Sequence, residues 1–181
     1  MPVIRHPAQR VAVLIDVQNL YHSARNLYQK RVNFKEILKT AVSGRQLVRA
    51  FAYVVSTEGG EEKVFFEVLE KMGIEIRVKD LQIYYGGMKK ADWDVGITID
   101  GVRLSKSVDV IILMSGDGDF VPLVHYLENE GTQVEVMAFG KSASTKLREA
   151  ADDFIDLSED ADKYLLKRRI PKPKTEAINK K

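Results

Sequence analysis

Acidic residues stand where two apolar runs of this chain stop. Ile15-Asp16-Val17-Gln18-Asn19 closes the run that starts at Val11, and Ser115-Gly116-Asp117-Gly118-Asp119-Phe120 closes the run from Val108 to Met114. The ordinary reading is helix capping, by Asp16 and Asn19 before one helix and by Asp119 before the helix beginning at Phe120. Capping needs one acid, however, and the glycines flanking Asp117 put two acids on one tight, permissive turn. Clustered carboxylates repel unless a cation lies between them. Their hard oxygen donors suit Mg²⁺ or Mn²⁺, and the absence of cysteine removes softer thiolate sites.

A further acid comes from Lys89-Lys90-Ala91-Asp92-Trp93-Asp94-Val95-Gly96. On a helix, Asp94, Thr98, Gly101 and Ser105 share one face, a narrow polar stripe whose small residues leave Asp94 accessible, while Val95, Ile99 and Val102 occupy another. Asp92 is expected to be the cap and Asp100 lies off the Asp94 face, so both rank below Asp94. The alternative for Asp94 is a surface acid favoured by the helix dipole. His6, His22 and His125 show no paired spacing for a zinc site or a hydrolase triad.

These acids need a frame. Five apolar runs, Val11 to Ile15, Leu47 to Val55, Ile74 to Val78, Val108 to Met114 and Val134 to Phe139, read as strands. The run Val108-Asp-Val-Ile-Ile-Leu-Met lacks alternation, as expected for a central strand covered on both faces. Helical spacing appears at Leu20 to Tyr28, Phe34 to Val42, Gly60 to Met72, Trp93 to Leu104 and Phe120 to Leu127. Gly73 caps the third, and Pro122 falls in the first turn of the fifth. Ser144 to Ala151 and Tyr164 to Arg168 read as short closing helices, and Phe154 to Leu157 as a small edge strand. The alternation predicts an α/β fold, a three-layer α/β/α sandwich around a mainly parallel sheet. In a 3-2-1-4-5 strand order the first and fourth strands are neighbours, and their carboxyl ends bring Asp16, Asp117 and Asp119 to one rim, where open α/β sheets bind ligands.

Taken together, Ile15-Asp16-Val17-Gln18-Asn19-Leu20, Lys90-Ala-Asp-Trp-Asp94-Val-Gly-Ile and Leu113-Met-Ser115-Gly-Asp117-Gly-Asp119-Phe120-Val-Pro-Leu resemble the NYN domain of the PIN-like nuclease superfamily, specifically its bacterial LabA-like group. The three segments occur in the family's order between Val11 and Leu157. The resemblance implies a PIN-like sheet and a metal-dependent ribonuclease site. Asp16, Asp94, Asp117 and Asp119 match its acidic metal-site positions, Asn19 its polar residue near the first acid, and Ser115 its small hydroxyl before the acid turn. It further implies that a bound Mg²⁺ or Mn²⁺ activates water against an RNA phosphodiester. A Toprim-like phosphotransfer domain ranks lower, because it calls for glutamate where this chain has Asp16 and leaves Asp94 unexplained.

A polyanionic substrate calls for positive charge around an acidic site. Arg25, Lys89, Lys90, Lys141, Lys146 and Arg148 are candidates, and Tyr21 and Tyr84-Tyr85 could stack on unpaired bases of single-stranded RNA. Trp93 is expected to anchor its helix. Net charge is +2, but residues from Lys163 onward carry +7 and the preceding body −5. The resulting domain plan is an N-terminal extension at 1–10, a catalytic domain at 11–158, a closing helix at 159–169 and a basic tail at 170–181 expected to be disordered. A non-catalytic RNA- or protein-binding regulator is the rival reading, with that tail as its contact arm and a homodimer or protein partner left open. No apolar run approaches the roughly 18 residues needed to span a bilayer, so a soluble, cytoplasmic protein is expected.

Overall fold

The computed structural model describes residues 3–56, 62–80, 82–83, 89–90 and 92–169. Its centre is a six-stranded sheet in which every neighbouring pair is parallel. The strands are β1 (Arg10–Asp16), β3 (Gln46–Ser56), β4 (Glu75–Asp80), β7 (Val110–Met114), β8 (Gln133–Ala138) and β9 (Asp153–Asp156), in the order β4-β3-β1-β7-β8-β9. The expected order therefore holds, with β9 added as the edge strand. β7 is buried at every position, because a β-branched and aliphatic run can pack on both faces at once.

Alternation along β1 divides the core. Val11, Val13 and Ile15 join one apolar cluster, with Ile37, Ala52, Ile112 and Phe139. Ala12 and Leu14 join the other, with Phe51, Ile97, Ile111 and Leu123. Helices α1 (Val17–Tyr28), α2 (Phe34–Val42) and α3 (Lys63–Lys71) contribute to the first cluster, and α4 (Asp94–Leu104), α5 (Val121–Asn129) and α6 (Thr145–Ala150) to the second. Gly73, at φ +80°, ends α3 as expected: its amide reaches the Glu70 carbonyl at 2.9 Å and the Ile74 amide reaches Leu69 at 3.2 Å. The proline expected in the first turn of α5 is there.

Two local expectations change, and one element is new. Asp92 does not cap α4; Trp93 holds that position and no side chain caps the helix. Tyr164 to Arg168 is not a helix: α7 (Ala161–Tyr164) gives way to β10 (Leu165–Arg169), which pairs antiparallel with β2 (Lys30–Val32). Leu165 buries itself opposite Val32 and the Tyr164 carbonyl accepts the Asn33 amide at 2.8 Å, so pairing with β2 takes the segment that local spacing assigns to a helix. A two-strand hairpin, β5 (Gln82–Ile83) with β6 (Lys89–Lys90), also precedes α4. The expected helix start at Gly60, the Tyr84-Tyr85 loop and the tail at 170–181 lie outside the described residues. Among the described residues no helix is long and apolar enough to cross a membrane.

Candidate metal centre

Parallel strands deliver the acids to one rim. β1 ends on Asp16 and β7 runs out into Ser115 and Gly116, so the first two acidic motifs sit side by side. Asp16 does cap α1, its Oδ1 accepting the Asn19 amide at 3.1 Å. Its other oxygen, Oδ2, accepts the hydroxyl of the fully buried Ser115 at 2.9 Å. Asn19 is no cap; its Oδ1 accepts the Gly116 amide at 2.8 Å and ties α1 to the acid turn.

That turn is built by Asp117. Its Oδ1 accepts the Asp119 amide at 3.0 Å, and it caps the short 3₁₀ turn Gly118–Phe120, so Asp117 rather than Asp119 has the capping role. The Asp117 amide donates in turn to Ser115 Oγ at 3.2 Å. Ser115 thus joins the two acids, donating a hydrogen bond to the carboxylate of Asp16 and accepting one from the backbone amide of Asp117. Gly116 lies close against the backbone of the loop that follows β8, and Gly118 against a serine side chain. A Cβ on Gly116 would lie 3.0 Å from the Ala143 backbone, and one on Gly118 would lie 2.7 Å from Ser144 Oγ.

Asp94, Asp117 and Asp119 each present a carboxylate oxygen within 4.8 Å of the others, the only such group of potential metal ligands among the described residues. Asp16 lies outside this mutual set but close enough for its charge to act on Asp94. Burial, followed by the charges of Asp92, Asp117, Asp16 and Asp119, pushes the Asp94 carboxyl up to about 6. Burial also raises Asp16, opposed by its hydrogen bonds from Asn19 and Ser115. Three hard oxygen donors, partly exposed and held against mutual repulsion, fit Mg²⁺ or Mn²⁺, which retain several waters of their own. Asp94, Asp117 and Asp119 would hold such an ion, with Asp16 beside it.

The basic and aromatic candidates are more scattered. Tyr21 is 37% exposed in the second turn of α1, with its ring edge against His22. Arg25, nine residues beyond Asp16, stands in the last turn of that helix, roughly 13 Å along its axis. Lys146 is exposed in the first turn of α6, and Lys141 lies over the Tyr28 ring at 5.7 Å. Arg148 pairs with Asp156 at 3.3 Å and covers Phe154, a structural role. The backbone of Lys89 and Lys90 forms β6, ahead of α4; their side chains lie outside the description. Asp100 accepts the Tyr53 hydroxyl at 2.9 Å and faces Arg77 and Arg103, which accounts for it without the site. The sequence pattern did not bring out Lys79, whose ammonium reaches the Asp92 carbonyl at 3.0 Å. No motif marks an isolated lysine in an edge strand.

The chain is 26% identical over 179 residues to the low amplitude and bright protein LabA of Synechococcus elongatus, the match covering 91% of each chain. Its fold is similar to the crystal structure of a Vibrio parahaemolyticus protein of unknown function, at a TM-score of 0.81 and 31% identity, covering 91% of this chain and 100% of that one. The NYN domain family, a family of PIN-like nucleases, matches residues 10–159. The chain therefore belongs to the NYN domain family.

Proposed function

We propose that this protein is a metal-dependent ribonuclease that hydrolyses phosphodiester bonds of single-stranded RNA. The observation that carries the reading is the approach of Asp94, Asp117 and Asp119 at the carboxyl rim of a parallel sheet, with Asp16 next to them. A bound Mg²⁺ or Mn²⁺ would supply charge neutralisation at a scissile phosphate and a water of lowered pKa. The chain's own contribution is orientation. Ser115 and the Asn19 amide fix both oxygens of Asp16, and the Asp119 amide fixes Asp117 Oδ1. Asp119 is the exposed member of the group, and Asp94 and Asp117 are half-buried. Burial and the neighbouring acids raise Asp94 in the metal-free chain, so an ion held there would take the place of its proton. Lys146 and the β6 lysines are proposed to meet the flanking phosphates, and Tyr21 an unpaired base.

The test is cleavage of end-labelled single-stranded and duplex RNA with and without Mn²⁺, beside Asp117→Asn. The expected outcome is Mn²⁺-dependent cleavage of the single strand that Asp117→Asn abolishes without loss of fold. Cleavage retained in that variant overturns the site, and salt-sensitive RNA binding without cleavage favours a non-catalytic regulator instead.

A further inference from the structure

Helix α4 carries Asp94 at its first residue, yet it starts with no side-chain cap. What holds its start is the residue before. The Trp93 indole N–H donates to the Val54 carbonyl in β3 at 2.9 Å, and its ring meets the buried Tyr53 ring at 5.4 Å. Lys79 of β4 stands with its ammonium 5.3 Å from the indole centroid and 3.0 Å from the Asp92 carbonyl, so one side chain grips both residues that lead into Asp94. The ring lies against Gly96, where a Cβ would fall 2.5 Å from Cε3 and 2.9 Å from Cζ3. The Trp93 carbonyl accepts the Ile97 amide at 2.7 Å, joining this seat to the first turn of the helix.

We infer that Trp93, seated by Lys79, Val54 and the bare backbone of Gly96, is the positioning residue that carries Asp94 into the carboxylate group. The inference rests on the reading of that group as a metal site, and it makes the β3–β4 edge of the sheet a part of the centre. Neither Lys79 nor Trp93 touches an ion or a substrate. Their effect is to set where the Asp94 oxygens stand, acting through the start of α4; groups bonded directly to a metal ligand cost about 10- to 100-fold in affinity when lost, and the lower end of that range is the scale expected here.

Gly96→Ala separates this role from simple packing. Alanine favours a helix over glycine by about 1 kcal/mol, but its Cβ meets the Trp93 ring, so melting alone does not separate the roles; if the seat were irrelevant to Asp94 the variant would still bind Mn²⁺ normally. Calorimetric titration of the full chain with Mn²⁺ is expected to give a dissociation constant raised about tenfold or more in Gly96→Ala and in Lys79→Met, with Lys79→Arg close to wild type. Hydrogen exchange at the Ile97 amide of the metal-free protein is expected to quicken in the first two variants and not in the third. If wild type binds Mn²⁺ and Gly96→Ala and Lys79→Met bind it as tightly, the inference is overturned. If wild type binds none, the metal reading falls and exchange decides: faster exchange at Ile97 supports the seat, and unchanged exchange overturns it.

Discussion

Ser115 and Asp16 come from neighbouring strands, and the Ser115 hydroxyl donates to Asp16 Oδ2 at 2.9 Å from a position with no solvent exposure. The first acid of the rim is therefore oriented by the strand that delivers the other two, not by its own helix alone. Ser115→Ala removes that donor and leaves a half-buried carboxylate with one fewer partner, a loss of about 1.5–3 kcal/mol for a hydrogen bond to a charged group. Because the bond holds the Asp16 carboxyl down against burial, its loss moves Asp16 further up. Calorimetric Mn²⁺ titrations of Ser115→Ala over a pH series should show weaker binding than wild type, with the deficit shrinking as pH rises and Asp16 ionises again.

Asp94 gives a pH dependence of opposite sense to that of a salt-bridged acid. Its folded-state value of about 6 lies above the ordinary 3.8, so the native state holds this proton more tightly than the unfolded chain. The associated stability is complete below pH 3.8 and is lost as pH rises through 6. The metal-free protein should thus gain thermal stability from Asp94→Asn above pH 6 and little near pH 4. Added Mn²⁺ should stabilise wild type and not the variant. Melting curves at pH 4, 6 and 8, with and without the ion, read both effects.

The alternation of apolar runs and amphipathic stretches made the parallel sheet legible, because fully buried strands such as Val110–Met114 leave an unbroken apolar signature; the strand order was an assumption taken from the fold class, carried by no residue. The acids were legible because each follows a strand or opens a helix. Division of labour among them was not. Asp117 and Asp119 are equally good caps by type, and only the turn's backbone makes Asp117 the acceptor. The fate of Tyr164 to Arg168 was hidden for a related reason: pairing with β2 is a long-range event, and local spacing does not carry it. Lys79 and Gly96 matter through what lies across from them, which a one-dimensional pattern omits.

Arg45 supplies a control remote from the acids. Its guanidinium meets both oxygens of the fully buried Glu135 at 2.6 and 2.9 Å and also donates to the carbonyls of Ala41 and Val42. Breaking a buried pair costs about 3–5 kcal/mol when the remaining charge is left alone; here Glu135 keeps the Gln133 side-chain amide at 2.7 Å and Arg5 at 3.5 Å, so the loss falls toward or below the lower end of that range. Arg45→Ala should lower the unfolding free energy by about 3 kcal/mol or less, seen as a lower urea midpoint at unchanged slope, while any protein that remains folded binds Mn²⁺ as wild type does. Equilibrium unfolding monitored at Trp93, the single tryptophan of the chain, measures the loss.

Gly116 tests how tightly the acid turn is confined. An added Cβ would lie 3.0 Å from the Ala143 Cα and 3.2 Å from its Cβ, and the first of these is backbone that cannot rotate away. The same residue's amide donates to Asn19 and its carbonyl accepts the Ser144 amide at 2.9 Å, so the turn is held from both sides when the new atom arrives. Gly116→Ala should cost about 1–3 kcal/mol of overpacking and move Asp117 out of line with Asp94 and Asp119. A paired Ala143→Gly change removes only the 3.2 Å side-chain contact and leaves the backbone contact at 3.0 Å, so it should restore part of the stability and little of the Mn²⁺ affinity. Full recovery of binding in the double variant would mean that side-chain crowding, not the backbone of the 143–144 segment, sets the position of Asp117.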